Sequence, residues 1–171
     1  MEAGQMEAGQ PVCGPEDIAP PRGPSLSDIG LDNFAPYLMN RAMGRWNAGL
    51  QAVLREHGLT TPQMRALAVL CVRPGITILE LSVYTVIEQS TLSRTLDAME
   101  ARGLIRRTRS SSDARAREVY LTTAGRTAFA RFWPAMLAGY ERMLAGVSPE
   151  ERAVFVTVLQ KILRNIRRHP L

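Results

Sequence analysis

At 171 residues, 46% hydrophobic and 22% charged, the chain has room for one globular domain plus an extension. Its apolar runs fall short of the roughly 18–20 residues of a bilayer span, and no signal-peptide pattern opens the sequence, so a cytoplasmic protein without a membrane partner is expected. Two cysteines, Cys13 and Cys71, exclude a disulfide scaffold, and the formal net charge of +5 rests on 21 basic residues of which only Lys161 is lysine. Arginine's planar fork suits phosphates and base edges, but a bias towards arginine codons would produce the same count. The charge therefore permits a nucleic-acid partner without requiring one.

Residues 1–30 are predicted to be a disordered extension. The pentapeptide MEAGQ occurs at 1–5 and again at 6–10, which makes Met6 an alternative start. Prolines 11, 15, 20, 21 and 24 follow among few large apolar residues, too few to offset the entropy of ordering. The folded domain is expected over 31–171. Phe34, Leu38, Ala42, Trp46, Leu50, Val53 and Leu54 trace one helical stripe to about His57, with Gly58 as its stop. Thr61 as cap and Pro62 at the first position open a second helix, whose apolar face includes Leu67, Leu70 and Cys71. Thr77 and Glu80 form a capping box, with Ile76 and Leu81 placed as a hydrophobic staple, for a short third helix ending near Tyr84. After Thr85-Val86-Ile87 a fourth helix spans about 89–102, with Leu92, Leu96 and Met99 inward and Gly103 as its stop.

The period then changes from helix to strand. Residues 104–109 and 117–121 read as two strands around a polar tip at 110–116. Thr122 caps a long helix running to about Ala145, which Pro134 should kink. Ser148-Pro149-Glu150-Glu151 is a further capping box, and the helix that follows, to about 168, carries Val154, Phe155, Val158, Leu159, Ile162, Leu163 and Ile166 on one side. The predicted class is mainly α with a small β-hairpin wing.

The short third helix, tight turn and fourth helix make a helix-turn-helix. The outward face of the fourth helix offers Gln89, Ser90, Thr91, Ser93, Arg94 and Asp97, small polar groups with one arginine near the start. Such a face fits the major groove, where small residues allow close approach and arginine pairs bidentately with guanine. An ordinary solvated helix has the same composition. The hairpin weighs against that blander reading: residues 102–117 hold Arg102, Arg106, Arg107, Arg109, Arg115 and Arg117 against a single acid, Asp113. A wing of this charge can reach a neighbouring minor groove.

The segments TLSRTLDAMEARGLIRR (91–107) and SSDARAREVYLTTAG (111–125) resemble the core signature of MarR-type regulators, with Asp113, Arg115, Val119, Leu121, Thr122 and Gly125 in register. The resemblance covers about 34–168. It implies a winged helix-turn-helix lobe at about 60–121, N- and C-terminal dimerisation helices at about 34–57 and 122–168, and a homodimer bound to an inverted-repeat operator in double-stranded DNA. The apolar face of the last helix agrees with a dimer, although packing on its own core would also cover it. A two-fold dimer sets half-sites roughly 10 base pairs apart. DNA contacts are expected from Gln89, Ser90, Thr91, Ser93, Arg94, Arg107, Asp113, Arg115 and Arg117, with Arg94 on a base edge, Arg115 in the minor groove oriented by Asp113, and Arg117 on a phosphate. The sequence departs from the family in the turn, where Val86 and Glu88 stand in place of Gly and of Ser or Thr.

The family resemblance further implies a repressor released by a small aromatic effector. Met39, Met43, Trp46 and Met64 are candidates to line its pocket, or plain core. Cys71 is expected to be buried and structural rather than a redox switch, and His57 and His169 lie too far apart in sequence to suggest a metal site. No cofactor is expected. No P-loop, dinucleotide turn, Ser-His-Asp set or paired cysteine ligand suggests an enzyme. The competing class is a winged helix that binds protein or RNA without a ligand response.

Overall fold

The computed structural model describes residues 23–109 and 116–166. They divide into two units, one up to Ala42 and one from Met43, with the boundary inside a long helix. In the first unit Ser25 caps a single helical turn, α1 (Leu26–Ile29). Its hydroxyl accepts from the Asp28 N–H at 3.3 Å, while the Asp28 carboxylate accepts from the Ser25 N–H at 2.8 Å. A 3-10 turn (Leu31–Asn33) leads into α2 (Ala35–Glu56). The stretch expected to lack order thus ends in a turn closed by a capping box with Asp in the third position. Residues 1–22, including both MEAGQ copies and Cys13, lie outside the described residues.

The second unit continues through the end of α2, then α3 (Thr61–Val72), β1 (Ile76–Thr77), α4 (Ile78–Thr85), α5 (Gln89–Ala101), β2 (Ile105–Arg109), β3 (Arg117–Leu121), α6 (Thr123–Met143) and α7 (Pro149–Ile166). The strands form one antiparallel sheet in the order β1-β3-β2, with Ile76 opposite Val119 and Ile105 opposite Leu121. The expected two-stranded hairpin is present as β2 and β3, and β1 adds a third strand beside β3. Two residues are too few to show a strand period, and β1 exists through its pairing with β3. The core gathers Leu67, Leu70, Leu81, Leu92, Leu96, Met99, Val119 and Phe132, all fully buried, so α3, α4, α5, β3 and α6 share one apolar centre. Each such side chain contributes about 1.5–3 kcal/mol of burial free energy.

The chain signals that set these elements are visible as hydrogen bonds. Thr77 and Glu80 form their capping box on α4, and the Thr122 hydroxyl accepts from the Gly125 N–H at 3.1 Å to start α6. On α3 the cap is Thr60 rather than Thr61. Its hydroxyl and the Gln63 side chain cap reciprocally, and Pro62 sits inside the first turn. α6 runs through Pro134 as one helix. A Cβ on Gly125 would lie 2.0 Å from the Leu104 carbonyl oxygen, so only glycine lets α6 press against the chain entering β2. α7 buries no residue: Val154, Phe155, Val158, Leu163 and Ile166 are all exposed. Cys71 is exposed too, contrary to expectation, because α3 buries Gln63, Met64, Ala66, Leu67 and Leu70 and turns Cys71 off that stripe.

Candidate nucleic-acid interface

α4 and α5 are joined by a turn with a defined geometry. Val86 adopts the left-handed region, φ 53° and ψ 48°, which a β-branched residue rarely enters. Its N–H donates to the Val83 carbonyl at 3.2 Å, and the Ile87 N–H to Ser82 at 3.1 Å. Arg65 of α3 donates to the Thr85 carbonyl at 3.3 Å, and the buried Thr85 hydroxyl donates to Leu81 at 2.7 Å. These bonds hold the turn in a conformation that costs roughly 1–2 kcal/mol for a non-glycine residue. The departure noted in the sequence is therefore accommodated rather than avoided.

Glu88 is the N-cap of α5. Both its carboxylate oxygens accept from the Ser90 N–H at 3.1 Å, one also accepts from the Thr91 N–H at 3.1 Å, and the Ser90 hydroxyl donates to the same oxygen. The Ser90 hydroxyl first, then these N–H groups, hold the Glu88 carboxyl below its ordinary pKa. Beyond the cap, α5 buries Leu92, Leu96 and Met99 and exposes Gln89, Ser90, Thr91, Arg94 and Asp97, with Ser93 half-buried. The polar face expected from the sequence is thus an actual surface.

The base of the hairpin is tied to α5 through Arg107. Its Nη2 donates to Asp97 at 2.7 Å and to Glu100 at 2.5 Å, its Nε donates to Glu100 at 2.9 Å, and its backbone N–H donates to Glu100 at 3.0 Å. The Arg107 side chain is only 18% exposed, and its hydrogen bonds lower the Glu100 pKa. Sequence reasoning placed Arg107 among the DNA contacts; the structure joins it to two acids three residues apart on the neighbouring helix. That spacing, with an arginine in the strand that follows, is the sequence signal of the tie.

Farther along the hairpin, Arg109 and Arg117 are directly opposite in the ladder and both exposed. Like charges in that register are unfavourable by themselves and become favourable beside an anion. Arg106 stacks its guanidinium 4.4 Å over the Tyr120 ring. Asp113 and Arg115 lie outside the described residues.

The candidate pocket residues differ in their individual settings. Met64 is core at 5% exposure, Trp46 packs over Gly139, Met43 is exposed, and Met39 is half-buried in the first unit. An apolar cleft of about 520 Å³ lies instead between α3 and α6, lined by Ala68, Cys71, Val72, Phe129, Ala130 and Trp133. His57 bonds the Val53 carbonyl at 2.9 Å and meets Phe132 edge-on, and among the described residues no cluster of His, Cys, Asp or Glu could hold a metal. No helix among the described residues is long and apolar enough to cross a membrane.

The profile of the MarR family matches residues 57–116. The transcriptional regulator HosA of Escherichia coli is 33% identical over 135 residues, which span 79% of this chain and 98% of the relative. A MarR-family transcriptional regulator from Silicibacter pomeroyi superposes with a TM-score of 0.82 at 48% identity, over 86% of this chain and all of that one. The transcriptional repressor CouR, solved on a 23-mer DNA duplex, superposes at 0.65 with 29% identity over 78% of this chain and 96% of its own. BpsR of Bordetella bronchiseptica, whose DNA binding is regulated by 6-hydroxynicotinic acid, superposes at 0.65 with 26% identity over 74% of this chain and 96% of its own. The capped α4–α5 pair, the sheet tied to it and these relatives together establish that the chain belongs to the MarR family of transcriptional regulators.

Proposed function

We propose that this regulator binds double-stranded DNA sequence-specifically as a homodimer and represses transcription until a small aromatic effector releases it. The observation that carries the reading is the polar face of α5 beside a hairpin that sets Arg109 against Arg117, an exposed pair of like charges that an anionic partner would stabilise. The similar repressor CouR, solved bound to a 23-mer DNA duplex, supports duplex DNA as the partner. In this reading Arg94 meets a base edge, Gln89, Thr91 and Ser93 meet bases or phosphates, Arg117 grips a phosphate, and Arg115 enters the minor groove with Asp113 orienting it. Arg107 positions the hairpin on α5 rather than touching DNA.

Dimerisation is supported by α7, which leaves Val154, Phe155, Val158, Leu163 and Ile166 exposed and buries no residue fully. For the effector, the cleft between α3 and α6 suits a planar aromatic better than the methionines first considered, since Phe129 and Trp133 stand 5.7 Å apart on one wall. BpsR, with a heteroaromatic acid as its regulator, supports that class of ligand. Selection of bound sequences from a random duplex pool tests the DNA reading. An enriched inverted repeat supports it; enrichment of no sequence opposes it.

A further inference from the structure

We propose that Glu88 is a built-in phosphate mimic: its carboxylate fills the anion position at the start of α5 and so limits sequence-independent binding to DNA. The proposal rests on the reading that α5 faces DNA. Helix N-termini attract anions because their first N–H groups have no partner inside the helix and carry the positive end of the dipole. In this 13-residue helix two of those donors are already engaged by a side chain. The Ser90 and Thr91 N–H groups and the Ser90 hydroxyl all point to the Glu88 carboxylate, at 3.1 Å for each N–H. A serine or threonine cap would satisfy one N–H and leave the positive end open to a phosphate oxygen. Glu88 reaches two successive amides and a hydroxyl, and it brings a full negative charge.

Two effects follow at the interface. A phosphate approaching the start of α5 meets a like charge instead of free donors, and Ser90 can offer its hydroxyl to DNA only if Glu88 lets it go. Affinity then depends on groups farther along, Arg94 on the exposed face one turn on and the arginines of the hairpin. The left-handed Val86 and extended Glu88 backbone, φ −59° and ψ 139°, hold the cap in position. A plain structural cap would have the same hydrogen bonds, so the test must read charge at the DNA surface rather than helix stability.

Three variants separate the possibilities. Glu88→Ser and Glu88→Gln remove the charge, while Glu88→Asp keeps it; Ser and Asp are both strong caps, so α5 remains capped in those two, and Gln keeps the length and one acceptor oxygen of the native side chain. Binding to a random duplex is measured across a salt titration. Glu88→Ser and Glu88→Gln are expected to bind about tenfold tighter, with a salt slope steeper by about one phosphate contact, and the Asp variant to change much less. The affinity for a selected cognate duplex should rise alongside. Unchanged random-duplex affinity and slope in both neutral variants would overturn the proposal, as would an effect confined to the cognate sequence, which would make Glu88 a base reader. Arg94→Ala is measured in parallel. If it leaves binding to the selected cognate duplex intact, the placement of α5 on DNA has failed; if it weakens cognate binding while the Glu88 variants do nothing, only the mimic has failed.

Discussion

Replacing Arg107 by methionine keeps the aliphatic stem and removes the guanidinium that joins β2 to α5. Three side-chain hydrogen bonds disappear, to Glu100 at 2.5 and 2.9 Å and to Asp97 at 2.7 Å. Charge-assisted bonds contribute about 1.5–3 kcal/mol when water is excluded, but exposed ion pairs measure only about 0.2–1 kcal/mol. Arg107 is 18% exposed, Glu100 38% and Asp97 61%, so the Glu100 contact dominates and solvent screens much of the Asp97 contact. Arg107→Met should therefore cost about 1–2 kcal/mol in urea unfolding. A double-mutant cycle with Glu100→Gln should give a coupling of about 1 kcal/mol, against a few tenths with Asp97→Asn. On DNA the variant should bind more weakly with an unaltered salt slope, because a positioning residue carries no phosphate of its own. A coupling near zero with Glu100, together with a slope reduced by about one unit, would make Arg107 a phosphate contact instead.

Val86→Gly relieves the left-handed strain of about 1–2 kcal/mol and adds about 0.5–1 kcal/mol of backbone entropy to the unfolded chain, so thermal unfolding should show a net gain of about 0–1.5 kcal/mol; a clear loss would mean that the Val86 side chain packs productively. Because Arg107 lowers the Glu100 pKa from its ordinary 4.5, that contribution is present above pH 4.5 and is lost as pH falls through the depressed folded value. Glu100→Gln should accordingly flatten the fall in stability on acidification below pH 4.5, and an unchanged acid profile would contradict the network. Leu163→Glu, on the exposed face of α7, should convert a dimer to a folded monomer in sedimentation; a dimer of undiminished stability would place the interface elsewhere.

Much of the fold is legible where the signal is local. The Thr77–Glu80 box, the glycine stops at 58 and 103, the strand at 117–121 and the buried Leu92, Leu96 and Met99 all follow from neighbours three or four residues away. What escapes the sequence depends on partners outside that reach. β1 is ordered by β3, more than forty residues later. Arg107 finds Asp97 and Glu100 on another element, and the exposure of Cys71 depends on which side of α3 the core happens to occupy. Gly125 belongs to the family pattern in the sequence, and the structure supplies its cause: a carbonyl oxygen stands where a side chain would begin. Glu88 was noticed as a departure in the turn, but its reach to two amides and a hydroxyl depends on the left-handed residue two positions before it.

The most direct test of the central claim is the binding of Arg94→Ala to a duplex selected by the unmodified protein from a random pool. The selected sequence should be an inverted repeat with half-sites about 10 base pairs apart. The substitution should cost about 1–3 kcal/mol on that duplex, relax the preference at one position of each half-site, and leave random-duplex affinity little changed. Equal weakening on cognate and random DNA would contradict a base-reading α5, and no effect on either would contradict its placement on DNA at all.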